Sequence, residues 1–300
     1  MFSRISALGM FLLFFASILC QAQTATCTNW KFFNLPAPWT SDPHGINRWG
    51  TVVGLAQDSN LVNYGYIRYS DGSFKTYMAP NATDTNFARR NALGVTVGFY
   101  VNTTATTPRR RGLVVSGAST ATVDYPGALH TNLTGINYWG TIVGEYNNQD
   151  GSRAGFKLKN GVFTKIKYPG SVPGTTQVNS ISDKGVMVGS FQDNQFFSQH
   201  GFILNQGVYK KLDNPKATFN GGDGTVLTDI NGSGVIVGYY FINSTAYGFI
   251  YSNGVFKDIK PQSGTWTRIF GINGYGDVTG STFTPAFIDA DYKSFTARCQ

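Results

Sequence analysis

The chain is short of acidic helix-formers: among 300 residues a single Glu, Glu145, stands against fifteen Asp, and charged residues amount to 13%. Helical domains draw on Glu, Lys and Ala, whereas Asp suits turns, so little helix is expected and a coiled coil is excluded. A disordered tail is excluded too, because it needs more charge and fewer apolar residues than the 41% found here. Catalytic signatures are missing as well. There is no GxSxG elbow, no HExxH and no glycine-rich phosphate loop opening a helix, which removes the common serine-hydrolase, zinc-protease and nucleotide-binding readings. A calcium loop needs several carboxylates at alternate positions, and Asp289-Ala290-Asp291 supplies two before Tyr292. No cofactor and no metal is expected. What is present is glycine, 36 residues of it, and 15% aromatics, the composition of a β-rich, turn-dense globular chain.

Residues 1–22 carry Arg4, an apolar stretch from Ala7 to Leu19, and Cys20 two before Ala22, the layout of a secretory signal peptide cut after Ala22. The apolar stretch is shorter than the roughly 20 residues a membrane span needs, so no transmembrane anchor is expected. Residues 23–300 are thus read as one secreted or periplasmic domain. Cleavage removes Cys20 and leaves Cys27 and Cys299, and two cysteines in an oxidising compartment suggest one disulfide. Closing so long a loop stabilises by roughly 4 to 5 kcal/mol in the chain-entropy model, provided the termini meet. The alternative is two free thiols on frayed ends. Loss of Arg4 leaves 23 basic against 16 acidic side chains, an excess that attracts anionic partners at low salt. For an exported protein these are envelope polymers or lipid surfaces rather than nucleic acid.

One phrase recurs along the chain: GINRWGTVVG at 45–54, GINYWGTIVG at 135–144 and INGSGVIVGYY at 230–240, with looser copies at 91–100, 181–191 and 272–281. The second glycines, Gly54, Gly98, Gly144, Gly189, Gly238 and Gly280, are spaced by 44, 46, 45, 49 and 42 residues. Each copy continues with a Gly-aromatic-aliphatic element such as Gly65-Tyr66-Ile67, ending in Ala286-Phe287-Ile288 for the last. A glycine turn such as Asn160-Gly161 and an alternating stretch closed by proline follow in the others. Asn at the first and Gly at the fourth position of Asn47-Arg48-Trp49-Gly50 suit a type I turn, and Asn-Gly suits a type I′ hairpin. One repeat is four short antiparallel strands, a to d, the size of a β-propeller blade.

The repeats fall at about 40–80, 81–126, 127–169, 170–215, 216–261 and 262–292. The first strand d proline, Pro36, has no a, b or c strand before it, and the last copy has no proline-ended strand after it. A closing strand at 29–36 that completes the sixth blade resolves both, and removes the open edges of an unclosed array. The expected fold is an all-β, six-bladed propeller latched by its N-terminal strand, with Cys27 brought toward Cys299. An open β-solenoid is the competing architecture.

These phrases resemble the extracellular HAF-repeat family of bacterial exported proteins over residues 29–290. The resemblance implies a secreted, propeller-like repeat protein and carries no defined activity. The second copy departs from the pattern at Arg90 and Leu113, and the sixth at Ala286.

In such a ring the a–b and c–d turns share one face, and the longer, variable b–c and d–a connections share the other, where function is sought. Candidate binding residues there are Tyr100, Arg109, Arg110, Arg111, Trp39 and Trp266, able to stack on sugars or pair with anions. His44, His130 and His200 lie on the same side. Trp49 and Trp139 belong to the tight turns of the other face and are read as structural. The preferred function is a non-catalytic, monomeric binding or scaffold protein for a glycan, an anionic envelope polymer or a protein. The alternatives are a carbohydrate-active hydrolase or lyase using Asp84, Asp193 or Asp223 at the channel mouth, and a structural repeat protein without ligand.

Overall fold

The computed structural model describes residues 23–102, 109–261, 266–283 and 292–299. These form six sheets, each with four antiparallel strands and one with a fifth added at its edge, and no helix. Five sheets follow the chain, each taking successive strands a to d, as Thr40–Ile46, Val52–Gln57, Asn63–Arg68 and Phe74–Tyr77 do in blade 1. The sixth uses both ends: Trp266–Ile272, Asp277–Phe283 and Lys293–Cys299 supply strands a to c, and Cys27–Phe33 supplies strand d. The protein is therefore a six-bladed propeller closed by its N-terminal strand. Cys27 faces Cys299 across that last pair, with Cα atoms 4.1 Å apart, and the two form a disulfide. No helix among the described residues is long and apolar enough to cross a membrane. The expected signal peptide, 1–22, lies outside them.

Three details differ from the sequence reading. The pattern places the last strand c at Ala286-Phe287-Ile288, which lies outside the described residues; the strand paired with Asp277–Phe283 is Lys293–Cys299. Phe295 sits opposite Gly280 as Tyr66 does opposite Gly54, so Ser294-Phe295 is the Gly-aromatic element with serine in the glycine's place. The closing strand begins at Cys27 rather than 29. Before it, Gln23–Thr24 adds parallel to Val255–Ile259 as a fifth strand of blade 5. The N-terminal segment thus holds two neighbouring blades.

The two repeated glycines have separate causes. In every blade the a–b ladder slips by one residue, as at Pro43/Gly45 and Leu133/Gly135. This bulge presses strand a onto the second glycine of the phrase: a Cβ at Gly54 would lie 2.0 Å from the Asp42 carbonyl oxygen, and one at Gly144 2.2 Å from that of Asn132. The glycine of the Gly-aromatic element instead makes room for the next blade. A Cβ at Gly155 would lie 2.5 Å from Val178, and one at Gly248 2.8 Å from Ile269. At the closing seam, where Ser294 replaces that glycine, its hydroxyl donates to the Ser41 carbonyl at 3.0 Å.

The turn asparagines also do more than turn the chain. Asn47 Oδ1 accepts from the N–H groups of Trp49 (2.9 Å) and Thr51 (3.1 Å), while its Nδ2 donates to the Asn91 carbonyl (3.4 Å) in blade 2. Asn91 passes to Asn137, Asn137 to Ser182, Asn231 to Asn273, and Asn273 back to Asn47. The chain of handed-on amides is interrupted after Ser182, whose side chain has no amide to give. A second set of bonds runs deeper: His44, Thr134, Asn179 and Thr228, each at the bulge, bond the next blade's Phe87, Val178, Leu227 and Ile269 carbonyls. Because the a strands of neighbouring blades lie side by side, both sets surround the central channel.

Candidate functional site

The six candidate residues do not form one site. Arg109 donates to the Leu129 and Ala128 carbonyls, each at 3.1 Å, and Arg111 pairs with Asp124 at 2.6 Å. Tyr100 is buried and its hydroxyl lies 2.9 Å from Thr122 Oγ1, so it belongs to the core under blade 2 and offers no surface to a ligand. Trp39 is half-buried edge-on to Tyr64, and Trp266, at the loop-face end of its strand, packs on Phe283. Arg110 is exposed, its guanidinium carbon 5.0 Å from the centre of the Phe99 ring.

Arg110 opens onto a cleft of about 420 Å³ between blades 2 and 3, lined also by Val101, His130, Asn132, Glu145, Asn147 and Arg153. The only Glu of the chain is among them: Glu145 Oε1 accepts from Asn132 Nδ2 at 2.9 Å, and Oε2 lies 3.4 Å from Arg153 Nη2. His130 Nδ1 accepts from the Arg110 N–H at 3.1 Å, which places its own proton on Nε2. Burial, then the charges of Arg110 and Arg109, push the His130 pKa down, so the ring is neutral near pH 7. Asn132 Oδ1 is buried without a partner. Carboxylate, guanidinium, imidazole and amide groups so gathered present both donors and acceptors, as a polyhydroxylated ligand requires.

A second cluster lies in the channel toward the same face. Tyr292 donates to Asp42 Oδ1, His44 Nε2 lies 3.5 Å from Asp42 Oδ2, and His44 Nδ1 is 2.9 Å from the Phe87 carbonyl. Arg268 stacks over Tyr239 at 5.3 Å and leaves its buried Nε unpartnered. Burial opposes ionisation of Asp42, but His44, Tyr292 and Arg268 outweigh it and hold the carboxyl below its usual range. For His44 burial again opposes the charge, and the Asp42 carboxylate wins, raising its pKa. Burial, then Asp42, pushes the Tyr292 hydroxyl up. The Asp42 side chain keeps 40% of its exposure, so water reaches the cluster.

Below it the channel is plugged. Arg89, where blades 1, 3 and 6 have glycine, donates to the carbonyls of Ala88 (2.9 Å), His44, Thr228 (2.8 Å) and Phe270 (2.7 Å), with Nε 3.5 Å from Asp229 Oδ1. Asp229 accepts in turn from Ser180 Oγ and from the Ile272 N–H at 2.9 Å. The sequence signal for this pair is the Arg and the Asp standing where Gly45, Gly135 and Gly271 stand in other copies.

Of the three candidate aspartates, Asp84 lies in the strand Ala82–Arg90, and the other two are spent locally. Asp223 Oδ2 accepts from Thr218 Oγ1 and the Ser244 N–H, both at 2.9 Å. Asp193 accepts from the Phe196 N–H at 3.1 Å and lies 3.2 Å from His200 Nε2, while Asp213 lies 2.8 Å from Nδ1. The Asp213 hydrogen bond is the main cause of the raised His200 pKa, with burial opposing and Asp193 assisting. A folded-state pKa above the unfolded value adds stability that is full below about pH 6.5 and is lost as pH rises through the folded pKa. The urea midpoint is therefore expected to fall between about pH 6 and pH 8.5 in the wild type, and to fall less in His200→Gln. Equal slopes for the two proteins would remove His200 as the source. Among the described residues no group of three or more His, Cys, Asp or Glu is placed to hold a metal ion.

No protein-family model matches the chain, and no curated protein is significantly similar to it in sequence. Similar solved structures include the β-propeller domain of the Trilobed protease from Pyrococcus furiosus, 10% identical with TM-score 0.54 over 92% of this chain and 94% of that one. The fucose-specific lectin from Aleuria aurantia is 13% identical with TM-score 0.52, over 86% and 95%. A gluconolactonase from Xanthomonas campestris is 11% identical with TM-score 0.52, over 93% and 97%. Identities this low establish a shared propeller fold and nothing finer.

Proposed function

We propose that the protein is an exported, glycan-binding propeller of the HAF-repeat type, which takes a neutral sugar in the cleft between blades 2 and 3. The observation that carries this reading is the convergence of Arg110, His130, Asn132, Glu145 and Arg153 on one cleft. The cleft lies within the roughly 300 to 1,000 Å³ typical of ligand pockets. The disulfide fits an oxidising compartment, and a fucose-specific lectin is among the solved structures that share the propeller fold. Titration of residues 23–300 with a panel of neutral oligosaccharides tests it. Saturable binding to one class is expected, weakened about 10-fold or more in Arg110→Ala and in Glu145→Gln, since hydrogen bonds to charged groups are lost. Panel-wide failure to bind, or variants that bind like wild type, would reject the cleft.

A second reading, a glycan-cleaving enzyme, is favoured by the channel cluster in which Asp42, His44 and Tyr292 gather beside Arg268, because shifted pKa values such as those of Asp42, His44 and Tyr292 are of the kind found at catalytic sites. Release of new reducing ends from any panel member, abolished in Asp42→Asn, would establish it.

A further inference from the structure

We propose that the groove where the ring closes, on the turn face between blades 6 and 1, binds an anionic oligosaccharide, that is, linked sugar rings bearing carboxylate or sulfate groups. It shares no residue with the loop-face cleft and stands whether or not that cleft binds a neutral sugar. The groove measures about 630 Å³, and its walls include Trp30 and Lys31 of the closing strand, Arg48 and Trp49 of the first a–b turn, Arg68 and Tyr275.

Charge is the first argument. Asp277 is the one acidic residue lining the groove, and it is already held by Arg298 and by Asn273 Nδ2 at 2.9 Å. Lys31, Arg48 and Arg68 form no ion pair with a carboxylate among the described residues. The groove therefore carries uncompensated positive charge in a concave site, where the field of several cations adds.

The guanidinium groups are also fixed in place. Arg48 lies 4.9 Å over the Trp49 ring with Nη2 3.4 Å from the Tyr275 hydroxyl, and Arg68 lies 4.4 Å over Phe33. Ring faces rather than carboxylates hold them, which leaves N–H edges for the paired oxygens of a carboxylate or sulfate. Preorganisation of this kind lowers the entropy cost of binding.

The aromatic residues point to sugar rings between those charges. Trp49 is 61% and Tyr275 56% exposed. The same turn position holds Lys184 in blade 4 and Ser233 in blade 5, so the turn itself does not require an aromatic there. The Trp49 indole N–H donates to the Ala92 carbonyl at 3.1 Å, which fixes the ring, and with Arg48 over one face the residue still stands largely in solvent. Electron-rich ring faces attract the C–H face of a pyranose. The Trp49 N–H thus has a structural partner, as the sequence suggests, and the proposal rests on the surface that this bond leaves exposed.

The test is tryptophan-fluorescence titration of residues 23–300 with tetragalacturonate, with a heparin hexasaccharide, and with neutral maltohexaose. One anionic oligomer is expected to saturate the signal; which of the two does so separates carboxylate from sulfate recognition. Arg48→Ala and Arg68→Ala are each expected to weaken it about 10- to 100-fold, as loss of a hydrogen bond to a charged group does. Arg48→Lys and Arg68→Lys keep the charge but lose the paired N–H edge and should weaken it as well. Arg110→Ala and Glu145→Gln should leave it unchanged. The proposal is overturned if neither anionic oligomer binds, if maltohexaose binds as well, or if alanine variants with unaltered melting temperature bind like wild type.

Discussion

Arg89→Ala is expected to cost about 3 to 5 kcal/mol, the usual consequence of removing one partner of a buried charge pair. The side chains of Arg89 and Asp229 are 12% and 7% exposed, so the Asp229 carboxylate would be stranded in the channel. The carbonyls of His44, Thr228 and Phe270 would lose their donor at the same time. Together the two side chains touch blades 1, 2, 4, 5 and 6, so the loss falls on the ring as a whole. Gly45 belongs to the same arrangement, because a Cβ there would lie 2.8 Å from Arg89 Cδ. Urea unfolding of Arg89→Ala, Asp229→Ala and the double variant measures the pair. The double variant should lose less than the two single losses combined, since neither charge is then left alone. Additive losses would show that the two residues act separately.

The second large effect concerns the seam. Replacing both Cys27 and Cys299 by serine is expected to lower stability by about 2 to 5 kcal/mol, the range for native disulfides. The bond joins residues separated by 272 positions, so it restricts the unfolded chain more than a short loop would. Folded-state hydrogen bonds between Cys27–Phe33 and Lys293–Cys299 remain in the variant, so the ring should still form, with a lower urea midpoint. Wild-type protein unfolded under strong thiol reductant should match the variant. A midpoint equal to that of the oxidised wild type would refute the contribution.

The ring was legible because one blade's interactions are written five times over, and the repeats differ mainly in loops. Where a copy loses its marker residue the reading fails, as at Ser294, which occupies a glycine's place and hides the last strand c. The burial of Tyr100 is legible from the repeat. The residue stands two after Gly98, as Ala56, Tyr146, Phe191 and Tyr240 stand two after their glycines, and all are buried. Arg111 likewise aligns with His200, and their partners Asp124 and Asp213 align too, each accepting also from the following glycine N–H. The cleft and the plug were not legible in the same way. Glu145 meets Arg110 only because blades 2 and 3 are adjacent, and Arg89 reaches Thr228, 139 positions away, only because six blades close a circle. Repeat alignment shows such residues as departures; ring geometry decides what they meet.

The closing strand also sets the order in which the molecule can be made. Cys27–Phe33 leaves the ribosome long before Lys293–Cys299, its only neighbour in the sixth sheet. Throughout that interval it is an edge without a partner, and Trp30 is without its cover, Phe295. Blades 1 to 5 can assemble progressively from local hairpins, but the last step waits for a contact of very high sequence separation, the slow kind. Agents that occupy unpaired strands during biogenesis will therefore meet this protein chiefly at its beginning, and truncations near its end will expose that beginning permanently.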